Sequence, residues 1–329
     1  MKFTSSLAAA RELASVLASP IALTETSPLA KRAVDAALFA KLKFYVQYAA
    51  AAYCSNNGDS SGTPITCASG NCPDVQAANA VSVLEFDSSI LTDMRGFLSV
   101  STVRQEIVLA FRGSSSIRNF LTDLNFGYVN FGCADCSAHA ALQPPGTTPA
   151  PPSWPPSRPP APIATLAAGE LRSQGYAADL YTYGSPRVGN GAFASWVSAP
   201  LGVAARVTHV NDPVPRLPPM LIAGYRHTTP EYWLSNGSAT KVDYTLADVK
   251  VCEGISTTGC NAGTIPTLDL DAHRYYFLAA TSCAPDLAFK REEQMSPARR
   301  ADGSASDAEI LSWMAADAAA SPSELAATT

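Results

Sequence analysis

The sequence predicts an α/β fold, with a mainly parallel sheet covered by helices on both faces. Segments of helical periodicity alternate with short apolar runs typical of buried strands. The chain of 329 residues, 47% of them apolar, is long enough to bury the core of one large domain with short extensions. Its eight cysteines are typical of an exported protein, because an oxidising compartment lets them pair.

The N-terminal residues have the pattern of a leader removed during export. A basic start leads into small and apolar residues, although Arg11 and Glu12 interrupt them. We predict a signal peptide over residues 1–20 and a propeptide over 21–32 that ends at the dibasic pair Lys31-Arg32. A short amphipathic helix is the alternative interpretation of this stretch.

Charge and hydropathy narrow the classes of partner. The chain has 23 basic and 28 acidic residues, a net charge of −5, and no lysine- or arginine-rich face. We therefore expect no nucleic-acid partner. No run of about 18 apolar residues follows the leader, so we expect no transmembrane segment and a secreted, extracellular protein.

The predicted elements follow the chain in alternating order. Residues 33–58 form the first predicted helix, since apolar side chains recur there at helical spacing (Phe39, Leu42, Tyr45, Ala49 and Ala52). Apolar runs predict strands, first at Val81–Phe86, Phe97–Val103 and Glu106–Phe111, and later at Leu180–Tyr183 and Ala205–Val210. A helix over Ile163–Ser173, closed by Gly175, lies between the two groups.

The domain is predicted to extend over residues 33–285. Beyond Cys283 the composition turns to Ala, Ser, Asp and Glu, so residues 286–329 are predicted to be a loosely ordered tail. Ile310–Met314 is the exception, because it is compatible with one or two helical turns.

A proline-rich segment, residues 141–162, interrupts the pattern. There are ten prolines in the nineteen residues from Pro144 to Pro162. Proline lacks a backbone donor and fits neither a helix interior nor a central strand. An extended polyproline linker is the simplest interpretation, yet a linker here would lie inside the domain, where long structureless segments are uncommon.

The cysteines predict four disulfides. Proximity predicts the pairs Cys67–Cys72, Cys133–Cys136 and Cys252–Cys260, and leaves Cys54–Cys283, although eight cysteines permit about 105 connectivities. The residues from Cys133 to Cys136 also form a CxxC motif, for which zinc is the alternative. No matching CxxC or histidine pair completes a tetrahedral site, so we expect no metal. Asn236 begins a glycosylation sequon, Asn236-Gly237-Ser238.

Several long motifs carry a resemblance to a known family. They are Phe111–Phe120, Tyr183–Asn190, Val207–Pro219, Gly224–His227, Pro230–Trp233 and Asp271–Tyr276. In these motifs the chain resembles the fungal class 3 lipases (Rhizomucor-type lipases and feruloyl-esterase-like members), over roughly residues 33–140 and 163–284. The resemblance implies an α/β-hydrolase fold and a monomeric carboxylic-ester hydrolase that acts on lipid or aromatic esters without a cofactor.

The resemblance also implies roles for individual residues. Asp212 matches the triad acid and His273 the general base, a pair in which the carboxylate holds the imidazole in the tautomer that accepts a hydroxyl proton. A turn residue before proline and a surface histidine are the alternatives. Ser114 matches the oxyanion-hole position. The lid matches residues 115–126, including Ser115, Ile117, Arg118, Asn119 and Phe120, for which a serine-rich loop that caps an ordinary helix is the alternative.

The nucleophile of this family stands in a Gly-x-Ser-x-Gly turn between a strand and a helix. The turn should lie just before Ile163, where the proline-rich segment stands instead, and the strand that precedes it is missing as well. We therefore predict that the chain lacks the motif and its nucleophilic serine.

The genetic code offers an origin for these prolines. Proline codons are CCN, and a shifted frame removes most of the prolines and turns Ser153, Trp154 and Ser157 into apolar residues at helical spacing. We hypothesise that residues 141–162 are translated out of frame, and that a wrong splice or frame then omits the nucleophile strand and rejoins at Ile163. A cDNA that encodes the stretch as written would contradict this hypothesis.

Three functional hypotheses follow. The first is a defective rendering of a secreted lipase or feruloyl esterase. The second is a non-catalytic protein that keeps the lid and pocket for lipid binding. The third is a chain that does not fold stably, because four disulfides at about 2–4 kcal/mol each do not obviously replace a central strand.

Overall fold

The computed structural model describes residues 34–58, 61–88, 94–113, 127–133, 135–139, 163–199, 202–284 and 305–327. Three predicted features lie outside these ranges. They are the leader, the oxyanion-hole and lid residues from Ser114 to Phe126, and the proline-rich segment.

Helices and strands alternate along the described chain. The helices are α1 (Ala36–Ala51), α2 (Pro73–Ala77), α3 (Ile163–Ser173), α4 (Gly191–Ser198), α5 (Met220–Ala223), α6 (Asp271–Arg274), α7 (Asp307–Ala319) and α8 (Pro322–Ala327). The strands are β1 (Val81–Ser88), β2 (Met94–Ser101), β3 (Glu106–Phe111), β4 (Tyr128–Asn130), β5 (Ser137–His139), β6 (Leu180–Tyr183), β7 (Ala204–His209), β8 (Glu231–Leu234) and β9 (Val249–Cys252). Short 3₁₀ helices lie at Ser55–Asn57, Val214–Arg216, Leu246–Asp248 and Asn261–Gly263.

The described strands form three sheets. β1, β2 and β3 form an antiparallel sheet, and β4 pairs with β5. The third sheet has the order β6-β7-β8-β9, in which β6, β7 and β8 are parallel and β9 is antiparallel. The mainly parallel third sheet and its helices confirm the predicted α/β class.

Helix α1 packs against two of these sheets. Asp35 caps it, because its carboxylate accepts from the backbone N–H of Leu38 at 2.7 Å. Phe44 belongs to the core on β2 and β3, whereas Leu42 and Val46 belong to the core on β7 and β8. Helix α1 therefore has apolar residues toward two cores, a pattern typical of a buried helix.

Strands β3 and β6 lie beneath the same helix. The Tyr45 hydroxyl donates to Glu106 of β3 at 2.8 Å, and the Tyr45 ring stacks on Tyr181 of β6 with 4.3 Å between centroids. Helix α3 also contacts both strands. Within the described ranges, each of these two strands ends its sheet without a further partner.

The C-terminal residues differ from the predicted loose tail. Helix α7 begins with a capping box in which Ser306 and Glu309 bond each other's backbone N–H. Ile310 and Met314 are buried against Val214 and Leu217. Ile310 and Met314 lie one turn apart on α7 and dock the helix on the domain. Two apolar residues in an Ala-rich segment are a weak signal in the sequence.

Four disulfides join the cysteines in the pairs that proximity predicts. They are Cys54–Cys283, Cys67–Cys72, Cys133–Cys136 and Cys252–Cys260. Both sulfurs of the CxxC motif are therefore bonded to each other, which argues against the zinc alternative. Among the helices in the described ranges, none combines the length and apolar content needed to cross a bilayer.

Candidate active site

Asp212 and His273 lie together. Asp212 follows β7 and is fully buried, and its Oδ1 accepts from the backbone N–H of Val214 at 2.9 Å. His273 lies on α6, and its Nδ1 is 2.8 Å from Oδ2 of Asp212. Asp212 is thus a turn residue as well as the partner of His273. The imidazole is only 9% exposed, which excludes the alternative of a surface histidine.

The hydrogen bond assigns the tautomer of His273. Because a carboxylate can only accept, Nδ1 carries the proton of this hydrogen bond. In the neutral ring, Nε2 then has a free lone pair. In the described part of the chain, no hydroxyl hydrogen-bonds to Nε2. Ser185, the serine in the motif after β6, donates instead to the carbonyl of Pro186 at 3.1 Å. The pair can accept a proton from an attacking group, and the described residues do not supply that group.

Tyr276 is a site residue to which sequence reasoning gave no role. Its hydroxyl donates to Oδ2 of Asp212 at 2.7 Å. Burial, and then the charge of Asp212, raise the pKa of Tyr276 well above its ordinary value, so the hydroxyl keeps its proton and stays a donor. The signal was the motif Asp271–Tyr276 itself, which places a tyrosine three residues after His273.

His209 supports the loop that carries His273. Its Nδ1 lies 2.8 Å from the carbonyl of Ala272, and its Nε2 lies 2.6 Å from the Tyr244 hydroxyl. Because a carbonyl can only accept, Nδ1 carries the proton. Burial lowers the pKa of His209, which keeps the ring neutral. Both ring nitrogens of His209 are thus engaged, and its role is structural.

Gly184 makes room for the imidazole of His273. It follows β6 with φ +65°, a conformation that glycine adopts without strain. A Cβ built at Gly184 would lie 2.6 Å from Cε1 and 2.7 Å from Nδ1 of His273. The glycine in the motif Tyr183–Asn190 therefore lets the backbone pass directly beside the imidazole.

A Gly-x-Ser-x-Gly pattern does occur once, from Gly58 to Gly62, so the prediction that the chain lacks the motif altogether is wrong. Its surroundings are not those of a nucleophile elbow, which joins a strand to a helix. Gly58 follows the 3₁₀ helix Ser55–Asn57, and the backbone N–H of Gly62 donates to Ser82 of β1 at 2.8 Å. The serine of this pattern, Ser60, lies outside the described residues.

Ser114 and the lid residues lie outside the described ranges, but Gly113 is described. A Cβ built at Gly113 would meet the Tyr53 hydroxyl. Tyr53 is close enough to Tyr276 to raise its pKa further. Tyr53 therefore lies beside Gly113 and in the neighbourhood of Tyr276.

The predicted glycosylation site lies at the surface. Asn236 is exposed just after β8, and its side-chain nitrogen donates to Asp248 at 2.5 Å. Glycosylation there stays a prediction. Within the described residues, one cluster has sulfurs close enough to hold a metal, Cys54, Cys67 and Cys283. All three are in disulfides and offer no thiolate.

Comparisons with known proteins identify the family of the chain. The family model "Lipase (class 3)" matches residues 161–222, and the model "Lipase 3 N-terminal region" matches residues 12–82. The chain is 42% identical over 264 residues to secreted mono- and diacylglycerol lipase 1 of Fusarium solani, with 74% of this chain and 77% of that protein covered. It is 37% identical over 294 residues to secreted mono- and diacylglycerol lipase A of Penicillium cyclopium, with 80% and 92% covered.

Solved structures of fungal lipases have the same fold as this chain. The mono- and diacylglycerol lipase from Aspergillus oryzae superimposes with a TM-score of 0.65 at 34% identity, covering 74% of this chain and 97% of that one. These findings confirm the predicted family and α/β-hydrolase fold, and relatives named as secreted confirm the prediction of a secreted protein. The chain belongs to the class 3 lipases, a family of ester hydrolases.

Proposed function

We propose that the chain has the acid–base machinery of a lipase for mono- and diacylglycerols, but lacks the serine that attacks the ester. Asp212 orients His273, His273 is the general base, and Ser114 helps to bind the oxyanion. The observation that carries this proposal is the 2.8 Å contact between Asp212 Oδ2 and His273 Nδ1 inside the protein. The substrate class follows the names of the relatives from Fusarium and Penicillium.

The chemistry expected of an intact site follows from this geometry. Asp212 holds the Nδ1–H tautomer, so Nε2 accepts the proton of the attacking hydroxyl and later gives it to the leaving glycerol oxygen. The carboxylate stabilises the imidazolium formed between these two steps. Ser114 and the lid, residues 115–126, would complete the oxyanion hole and the cover of the acyl chain.

Two observations support the missing nucleophile strand. Among the strands that the structure describes, β3 and β6 each end their sheet beneath α1, where a central strand would join them. The outer face of the first sheet also exposes apolar side chains, with Leu84 54% and Ile107 73% exposed. Large exposed apolar surfaces are unusual in monomeric proteins.

Loss of the serine removes nearly all turnover. In a serine hydrolase, removal of the nucleophile alone lowers kcat on the order of 10⁶-fold, about as much as removal of the whole triad. An intact acid and base therefore do not rescue the reaction.

Hydrolysis by the purified full chain tests the proposal. Monoolein, diolein, triolein and a p-nitrophenyl ester are offered to the parent chain and to its His273→Ala variant. Equal background rates for both proteins are expected. A parent rate well above that of the variant would show that His273 serves a nucleophile, and would contradict the proposal.

The substrate class is tested by binding. A monoalkylglycerol ether, which cannot be hydrolysed, is expected to raise the melting temperature because it binds the native state alone. A ferulate amide is the matched control. Stabilisation by the ferulate analogue and not by the glycerol ether would overturn the proposed substrate class.

A further inference from the structure

Helix α7 covers the two loops that carry Asp212 and His273. Its side chains Ile310 and Met314 form a buried cluster with Val214, which lies two residues after Asp212. Leu270, which precedes His273 by three residues, packs against the same cluster. Residues of α7, more than 90 positions away along the chain, thus form the apolar support of the loop that carries Asp212 (the acid loop).

Asp317 of α7 is the charged centre of this contact. Its carboxylate is 2% exposed and accepts from the backbone N–H groups of Met220 at 2.8 Å and Leu221 at 3.0 Å, at the start of α5. It also pairs with Arg187, whose Nη1 is 3.1 Å from Oδ2. Both side chains of this ion pair are almost fully buried.

Arg187 passes the contact on to the acid loop. Its Nη1 lies 2.6 Å from the carbonyl of Arg216 and 2.7 Å from that of Pro218, and its backbone N–H donates to Leu217 at 2.9 Å. Arg216 is the last residue of the 3₁₀ helix Val214–Arg216, and Leu217 and Pro218 follow it. At the other end, Asp212 accepts from the backbone N–H of Val214, the first residue of this helix. Arg187 therefore holds one end of this short helix while Asp212 holds the other.

Arg216 connects the same helix to the loop before His273. Its Nη1 donates to the carbonyl of Thr264 at 3.0 Å, and its Nη2 donates to the carbonyl of Met314 in α7 at 2.9 Å. The guanidinium of Arg216 thus joins the acid loop to the loop before His273 and to α7.

We propose that Asp317 is a positioning residue for the Asp212–His273 pair, and that it acts through Arg187 and the 3₁₀ helix Val214–Arg216. Without the carboxylate, Arg187 is a buried cation with no counter-charge, and the first amides of α5 lose their acceptor. Arg187 then has to reach solvent or another acceptor, and the carbonyls of Arg216 and Pro218 are released. The inference rests on the proposed roles of Asp212 and His273.

Charge balance at Arg187 agrees with this role. Burial lowers the pKa of Arg187 to about 10, and the charge of Asp317 opposes that effect. Arg206, Arg226 and Arg216 lie close enough to lower it further. The charge of Asp317 thus opposes the effect of burial on the pKa of Arg187, Arg216 and Arg226.

Proton NMR of the full chain tests the proposal through the ring N–H of His273. A proton held between Nδ1 and a carboxylate resonates far downfield, and its loss in His273→Gln and Asp212→Asn assigns it. In Asp317→Asn this resonance is expected to move upfield or to broaden through exchange with water, at a temperature where the variant is folded. The ring proton of His209, bound to Ala272, serves as the internal reference.

Asp307→Asn is the matched control, because it removes the same charge from the same helix at a half-buried position. It is expected to leave the His273 resonance unchanged. An unchanged resonance in folded Asp317→Asn would overturn the inference alone. A parent chain without any resonance that Asp212→Asn removes would overturn the proposed acid–base pair, and the positioning role with it.

Native-state hydrogen exchange of the parent chain is independent of how well the variant folds. The amides of Val214, Met220 and Leu221 are expected to exchange with the same opening equilibrium as the central amides of α7. Earlier exchange of α7, with those amides still protected, would overturn the proposal.

Discussion

Tyr276 and His273 share one oxygen of Asp212. The Tyr276 hydroxyl donates to Oδ2 at 2.7 Å, and Nδ1 of His273 lies 2.8 Å from the same atom. The second oxygen accepts from the backbone N–H of Val214. Three donors from the protein fix the carboxylate, and none of them requires a nucleophilic serine. The acid–base pair is therefore organised in a chain that we propose to be inactive.

Replacement of Tyr276 by phenylalanine removes one of these donors. Because hydrogen bonds to charged groups contribute about 1.5–3 kcal/mol, Tyr276→Phe is expected to lower the free energy of unfolding by that amount. Tyr176→Phe is the control, since Tyr176 is 61% exposed. Urea denaturation of both variants gives the comparison, and equal small losses would argue against a bond to an ionised, buried Asp212.

Addition of a methyl group at Gly184 tests the space beside the imidazole. Gly184→Ala is expected to combine a left-handed backbone cost of about 1–2 kcal/mol with overpacking against the Tyr276 hydroxyl and His273 of about 1–3 kcal/mol. Gly175→Ala has only the first cost, since Gly175 has φ +88° and a Cβ built there would meet no atom within 4 Å. Equal destabilisation of the two variants would show that neither the Tyr276 hydroxyl nor His273 lies against Gly184.

Stability is expected to fall as the pH drops below about 6.5, the ordinary pKa of histidine. Burial, followed by the charges of Arg206 and Arg187, lowers the pKa of His227 well below its ordinary value. The unfolded chain therefore binds a proton in this range while the native state does not, so the free energy of unfolding decreases toward acid. Denaturation at pH 7.5, 6.5 and 5.5 measures the slope, and His227→Gln is expected to reduce it. A slope unchanged in the variant would contradict this assignment.

The disulfides are expected to differ in their contribution to stability. Cys54–Cys283 closes a loop with a sequence separation of 229, whereas Cys133–Cys136 has a separation of 3. In the chain-entropy model the longer loop contributes about 5 kcal/mol and the short one less than about 2. Paired alanine replacements, compared by denaturation, test this order, and a larger loss for the short loop would contradict the entropic explanation.

Local patterns predicted the parts of the fold in which a run of apolar residues has clear borders. Strand Glu106–Phe111, helix Ile163–Ser173 and strand Leu180–Tyr183 have the predicted bounds. Strands β8 and β9 were not predicted, because each combines a length of only four residues with a charged residue, Glu231 in β8 and Lys250 in β9. That carboxylate is buried through an ion pair with Arg206 at 2.9 Å, a partner that no local pattern reveals.

The residues of the candidate site were also predicted only in part from the sequence. Asp212 and His273 were predicted through the family motifs around them, not through any local property of an aspartate or a histidine. Asp317 was not predicted, since its partner Arg187 lies 130 positions away and its helix has the composition of a tail. Burial of Ile310 and Met314 orders that segment, and burial depends on the fold of the whole domain.

Labelling with a fluorophosphonate tests most directly the claim that the acid and base lack a nucleophile. Such a reagent phosphonylates a serine only where a base activates its hydroxyl, and mass spectrometry identifies the serine and the fraction labelled. We predict that the purified full chain is labelled no more than its His273→Ala variant. Stoichiometric labelling of one serine, abolished in that variant, would contradict the claim.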